Sequence, residues 1–361
     1  MRTTNLYIPN TQGVQEGLPI SLVFWPNYRF DIPAKRLFLR DIMEPYQEPF
    51  FTIVSEFAKA DFIAVPFDFF FAEKYASAYL ENAYALAKEA KKKVLLFDYT
   101  DFVDRNPILP PHAVLFRVSA YRHHKRQNEI VMPYFVEDFK TLYGIEPKEK
   151  STPLVVGYCG YSRFGSIARI CKAFLKRFVI QMMLRLRGDA NPRAHLRGIF
   201  WRQYVFRALR NGAVQTCILE RAFYSRFRQE KLFEPKKNRE EYVENLRECD
   251  LALSVRGDAN ASQRFYEALS ASRIPLLLDT DCVLPLEEII VYDDFTLRVP
   301  SSETKRIGEV VRAWDTATSG DQFLEKEKRA REAFVNYLRL DRYFDIVFDR
   351  EKSPYKEVLF R

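Results

Sequence analysis

Cysteine is scarce. The 361-residue chain has five, Cys159, Cys171, Cys217, Cys249 and Cys282, with no CxxC pair. An odd, dispersed set builds no disulfide framework and reads as reduced, intracellular thiols. Histidine is scarcer still. His112, His123, His124 and His195 do not sit with cysteine at ligand spacing, so no metal or resident cofactor is expected. His123-His124, set between Arg122 and Lys125-Arg126, reads as a surface loop. There are only 12 glycines, and Gly157-x-x-Gly160-x-x-x-x-Gly165 lacks the GxGxxG spacing of a dinucleotide fold. No apolar run reaches the ~18 residues of a membrane-spanning helix. Met1 to Pro19 has no apolar signal-peptide core. No nucleic-acid-binding motif is present, so nucleic acid is not an expected partner.

What is present is aromatic and basic. Phe numbers 31, Tyr 20, and the net charge is +8, a balance that favours anionic partners. The length suits two α/β domains better than one core. Short apolar runs at Leu22 to Trp25, Ala60 to Pro66, Val94 to Phe97, Val114 to Val118 and Glu129 to Met132 read as strands. Helical patterns lie between them at Phe50 to Lys59 and Glu73 to Lys92. The alternation predicts doubly wound parallel sheets. The polar, proline-flanked stretch Glu146 to Pro153 reads as a linker. The expected layout is a first domain over 1–150, a second over 151–329, and C-terminal helices over 330–361 that cross back to the first.

The stretch Asp250 to Pro300 says most. Leu251 to Val255 is a strand, Arg256-Gly257 breaks it, and the polar loop Asp258 to Ser262 leads into a helix. A buried strand, Ile274 to Leu278, follows. A loop running from a parallel strand into a helix N-terminus points N–H groups outward and favours phosphate. Arg256 and Arg264 add two guanidiniums suited to a diphosphate. Glu267, one helical turn beyond Arg264, can accept hydrogen bonds from a ribose diol. The loop carrying Gly160 and Arg163, at the end of the first strand after the linker, is a further candidate for phosphate or acceptor contact.

Arg256-Gly257, Ser262-x-Arg264-x-Tyr266-Glu267-Ala268-Leu269-x-Ala271, Ile274-Pro275 and Val283-Leu284-Pro285 together resemble the exostosin family of glycosyltransferases. Ala60-Asp61-Phe62-x-x-Val65-Pro66-Phe67 and Ile130-Val131-x-Pro133-Tyr134 resemble positions in that family's acceptor domain. The family usually has a small pair such as Gly-Cys before the Ile-Pro, where this chain has Ser272-Arg273. The resemblance implies a GT-B fold, two Rossmann-like domains facing a cleft, and inverting transfer from a nucleotide-diphosphate sugar, expected to be UDP-linked. The donor contacts it implies are Arg256, Gly257, Ser262, Arg264 and Glu267.

An inverting transfer needs a base for the acceptor hydroxyl. Asp68, Asp98 and Asp101, each just after a first-domain strand, are the candidates. Glu137 and Asp138 are further carboxylates there. A retaining double carboxylate is disfavoured, because Ala259 stands eight residues before Glu267. Asp279-Thr280-Asp281 spells DxD but reads as a turn, and the transfer is expected to need no metal. Arg163 to Arg210 holds twelve basic residues against one acid, Asp189. Ile167, Ile170, Phe174, Phe178 and Met182 recur there at helical spacing, and Arg169, Lys172 and Lys176 fall off that stripe. The stripe suits either the core or an anionic membrane surface. The expectation is a cytoplasmic bacterial enzyme, peripheral on the inner membrane, with a glycan or lipid-linked acceptor. The alternative is an inactive glycan- or lipid-binding protein with the same fold.

Overall fold

The computed structural model describes residues 4–11, 14, 18–27, 42, 46, 48–222 and 235–361. Six parallel strands form the first sheet: β1 (Asn5–Tyr7), β2 (Thr52–Ile53), β3 (Phe62–Asp68), β4 (Val94–Asp98), β5 (Ala113–Arg117) and β6 (Glu129–Val131). Five more form the second: β7 (Val155–Tyr161), β8 (Gln215–Arg221), β9 (Leu251–Ser254), β10 (Ile274–Asp279) and β11 (Leu297–Pro300). The orders are β2-β1-β3-β4-β5-β6 and β11-β10-β9-β7-β8. In chain order the helices are α1 (Phe69–Tyr75), α2 (Ser77–Glu89), α3 (Phe139–Tyr143), α4 (Ile167–Leu186), α5 (Gly198–Asn211), α6 (Pro235–Glu248), α7 (Gln263–Ser270), α8 (Ile307–Ala317), α9 (Gly320–Ala333), α10 (Leu340–Val347) and α11 (Lys356–Phe360). Two parallel α/β sheets joined through their strand-end loops make the GT-B arrangement.

The central strands are buried along their whole length, as continuous apolar runs in parallel sheets must be. The C-terminal helices return to the first sheet. Phe344 packs against Phe51, Phe97 and Phe116, and Phe348 against Phe62. Stacked and edge-on rings of this kind add to their area burial.

Three sequence expectations need correction. Leu22–Phe24 is a 3-10 turn and not a strand; Trp25 N–H closes onto Leu22 O, and all three side chains are buried. A short apolar run reports burial, not conformation. Phe50 to Lys59 is not a helix. Thr52–Ile53 pairs in parallel with Asn5 and Leu6, and only Phe57–Lys59 coils. A strand partner nearly fifty residues away overrides local helix preference. The helix expected over Glu73 to Lys92 is instead α1 and α2, broken at Ala76.

Candidate functional site

The second sheet reverses its winding between β7 and β9. Chain order gives β7 first, β8 on one side, then β9, β10 and β11 on the other. Open α/β sheets bind ligands in the crevice beyond the carboxyl ends of strands at such a switch point. The loop after β7 carries Gly160 and Arg163, and the loop after β9 carries Arg256 to Ser262. The motif read from sequence therefore flanks the one crevice that the topology of this sheet makes.

The guanidiniums are not open. Arg264 is buried; Nη1 donates to Cys159 O at 2.8 Å and Nη2 to Asn245 Oδ1. It lies over the Tyr158 and Tyr242 rings, 5.1 and 4.9 Å from their centroids. Arg256 is also buried; Nη1 donates to Tyr121 Oη at 2.8 Å and to Ala194 O, and Nη2 to Asp258 O. Protein acceptors therefore hold the Nη groups of both guanidiniums. The Nε of each arginine is buried without a hydrogen-bond partner. Glu267 is buried and accepts from the Tyr242 hydroxyl. It shares Tyr242 with Arg264, so the two do occupy one face of α7. Ser262 occupies the N-cap position of α7 with no side-chain capping bond, and Gly257 N–H bonds to Ala261 O at 3.0 Å. Arg163 is exposed, with Glu220 at 3.8 Å, while Ser162 beside it is fully buried.

Two residues that the sequence reading missed hold these loops together. Arg202 is buried and donates to Tyr161 O at 2.6 Å and to Arg256 O at 2.9 Å, joining the loop after β7 to the loop after β9. It is one of the twelve basic residues of Arg163 to Arg210. The signal was available, since Ile199, Phe206 and Leu209 put Arg202 on the buried stripe of α5. Gly198 N–H bonds to Gly257 O at 3.2 Å, and a Cβ on Gly198 would run into the Arg256 carbonyl. Only glycine permits that approach.

The first domain closes over this loop. Asn260 Nδ2 donates to Ala120 O at 3.2 Å, and Arg122 N–H to Asp281 O at 2.9 Å. The base candidates separate here. Asp68 and Asp98 are buried at the ends of β3 and β4. Burial and the neighbouring Asp68 push the Asp98 carboxyl up to about 8, against the opposing pull of Arg117 and the Thr100 hydroxyl. Thr100 Oγ1 donates to Asp98 at 2.9 Å. Asp101 is exposed and faces the second domain. Desolvation and Asp258 push its carboxyl up, while the Ala259 N–H and Arg256 hold it down. Asp138 is committed elsewhere, bound by Arg331 at 2.6 Å, and Glu137 pairs with Arg239.

Beside the crevice lies a polar cavity of about 260 Å³ lined by Asn191, Arg193, Asp279, Asp281, Pro300, Ser301 and Ser302. It opens at the carboxyl ends of β10 and β11. The DxD expected as a turn does turn there: Asp279 accepts from Cys282 N–H at 3.0 Å and Asp281 has a φ of 67°. His123 and His124 are not a surface loop. They are partly buried between the domains with Asp189 and His195.

Residues 200–314 match the family model of the exostosin GT47 domain. That stretch, about a third of the chain, is similar to the exostosin GT47 domain. The matched stretch runs from α5 to α8 and contains the loop after β9, all of α7 and Arg202. No curated relative matches the chain. Among solved structures, a glycosyltransferase from Rickettsia africae ESF-5 aligns over 100% of this chain and 99% of its own, at 10% identity and a TM-score of 0.39.

The twenty-residue α4 lies outside the stretch that the family model matches. Among its side chains only Ala173 is buried. Ile167, Phe174, Leu175, Phe178, Met182 and Leu186 are exposed, and so are Arg169, Lys172 and Lys176. No helix among the described residues is long and apolar enough to cross a membrane.

Proposed function

We propose that the chain is an inverting glycosyltransferase taking a nucleotide-diphosphate sugar, UDP-linked, in the crevice between β7 and β9. One observation carries the reading. Arg256 in the loop after β9 and Arg264 and Glu267 on α7 flank the switch point of the second sheet, and the buried Nε–H of each arginine lacks an acceptor. Cation and helix amides together stabilise a leaving diphosphate without an exchangeable metal. Asp101 is the base of this proposal, because it alone among Asp68, Asp98 and Asp101 faces the loop after β9 from the first domain. Asp101→Asn is expected to lower transfer by about 10²–10⁴-fold, and Asp98→Asn by far less. Equal losses in the two variants remove Asp101 from the role. Millimolar Mg²⁺ or Mn²⁺ is expected to give no stimulation, and a strong Mn²⁺ requirement would restore Asp279 and Asp281 as ligands.

The acceptor of this proposal is a glycan or lipid-linked glycan of a bacterial surface polysaccharide or lipopolysaccharide, met at the cytoplasmic face of the inner membrane. The exposed apolar and basic side chains of α4 support the membrane, since both depth and charge favour an anionic leaflet. A second reading has its own observation: the arginine forks and Glu267 are already held by protein groups, as in a fold that binds without catalysing. A thermal-shift screen against UDP-, GDP-, dTDP- and CMP-sugars identifies the donor. Release of UDP from UDP-sugar without acceptor then supports the enzyme; stabilisation by a donor that is never turned over supports the second reading.

A further inference from the structure

Three of the four histidines of the chain meet at one point. His123 and His124 come from the turn beyond β5 in the first domain. Asp189 follows α4, and His195 ends the short 3-10 helix Pro192–His195, both in the second domain. One ligand atom from each of His123, His124, His195 and Asp189 lies within 4.8 Å of every other. His124 Nε2 is 2.9 Å and His195 Nε2 3.3 Å from Asp189 Oδ2, and His123 Nε2 is 3.4 Å from Asp189 Oδ1. Zinc–nitrogen bonds of about 2.0–2.1 Å in a tetrahedron place neighbouring ligands about 3.3–3.4 Å apart. The three histidine–carboxylate spacings, two to Oδ2 and one to Oδ1, lie within about half an ångström of that edge.

The outer nitrogens are oriented as metal-binding imidazoles are. This holds for two of the three: His195 Nδ1 sits 2.8 Å from Asp104 Oδ1 and His123 Nδ1 bonds to Asp281, while His124 Nδ1 lies 3.3 Å from Asn106 Nδ2. Carboxylates behind two of the three rings fix the tautomer that leaves Nε2 as the inward ligand. Asp189 is itself fixed by the Asn191 N–H at 2.8 Å. The inner face is unsatisfied: His123 Nε2 and His195 Nε2 are both buried without a hydrogen-bond partner. Buried polar atoms are rarely left so.

We propose that His123, His124, His195 and Asp189 bind one zinc ion, or a similar borderline divalent metal, that clamps the two domains together. Three neutral imidazoles and one carboxylate suit zinc, cobalt(II) or nickel(II) and not calcium or magnesium. Four protein ligands leave no open position, so the ion is structural. Its effect reaches the crevice through Tyr121. That ring lies 4.1 Å from His195, and its hydroxyl accepts from Arg256 and donates to Asp104 at 3.1 Å.

The test uses untagged full-length protein stripped by a chelator and dialysed. Zinc content is expected to return to about one equivalent, and Co²⁺ to give the intense visible d–d bands of a tetrahedral N₃O site. Zn²⁺ is expected to raise Tm by at least about 2 °C. His124→Ala and His195→Asn should each weaken Co²⁺ binding at least ~100-fold, in line with loss of a metal ligand. Wild-type protein that takes up less than 0.1 equivalents, shows no d–d bands and gains no stability overturns the proposal. The cluster is then a histidine–carboxylate network between the domains. The wild-type titration decides even if a variant fails to fold. Metal content is read without nucleotide, so this result and failure of the donor site remain distinguishable.

Discussion

Helices α4 and α7 both follow strands of the second sheet, and they meet opposite fates. Every residue of α7 from Arg264 to Ser270 is buried; of the twenty residues in α4, only Ala173 is. The shorter helix buries two charged side chains and is tied by polar networks. The longer one leaves Phe178 and Leu186 in solvent, and besides Ala173 turns half-buried Ile170, Arg177, Ile180, Gln181 and Leu184 toward the protein. An apolar stripe alone therefore did not decide burial. The buried helix is the one whose charged side chains find partners in other segments.

Breaking the network beyond α7 should have the largest effect. Arg273, three residues past the helix, is wholly buried. It donates to Glu327 at 3.0 Å and to the carbonyls of Glu146, Leu246, Arg247 and Ser272. Burial pushes the Glu327 carboxyl up to about 7, against the pull of Arg273. Glu327→Ala leaves a buried guanidinium short of its charged partner and is expected to cost about 3–5 kcal/mol in denaturant unfolding. A cost within 0.5 kcal/mol would make the α7 network no more consequential than the α4 surface.

The sequence disclosed the strand-loop-helix around Arg256 because its residues are adjacent and the chemistry is local. It disclosed the parallel sheets through continuous apolar runs. It did not disclose the company that Arg264 keeps, because Cys159, Tyr242 and Asn245 come from other segments. The inter-domain meeting of His123, His124 and His195 was hidden for the same reason. Arg202 was misread because its charge was counted before its place on the α5 stripe. The departure from the family pattern at Ser272-Arg273 has a structural answer at Arg273 alone. Arg273 has Glu327 from α9 as a partner, and Ser272 holds a positive φ of 55° that suits glycine better.

The buried end of the first sheet extends the comparison to pH. Asp98 has a folded pKa raised to about 8 from an ordinary carboxylate value. The folded state therefore binds the proton more tightly, and stability from this group is lost as pH rises between the two values. Each pH unit in that window is worth at most about 1.4 kcal/mol. Asp98→Asn should flatten the fall in stability between pH 5 and 8, measured by urea unfolding. An unchanged slope would mean that Asp98 is ionised in the fold.

On α4 the effect should be on binding and not on stability. Replacing Arg169, Lys172 and Lys176 by Glu is expected to abolish low-salt sedimentation with anionic liposomes, each basic residue contributing about 1 kcal/mol. Unfolding should shift by no more than about 0.5 kcal/mol per site. Equal sedimentation with neutral and anionic liposomes, or none with either, would leave α4 without a membrane role. The smallest effect belongs to Ser272→Gly. Relief of the left-handed backbone and removal of a buried, unpartnered hydroxyl should stabilise by up to about 1 kcal/mol, and a loss in Tm would contradict that account.

The central claim is that a nucleotide diphosphate binds between β7 and β9 against Arg256 and Arg264. Calorimetric titration of UDP into the wild-type protein, Arg256→Ala and Arg264→Ala tests it most directly, with circular dichroism confirming that each variant is folded. Charge-assisted hydrogen bonds contribute about 1.5–3 kcal/mol each, so UDP affinity is expected to fall at least about 10-fold in each variant. Unchanged affinity in both folded variants would place the nucleotide somewhere else.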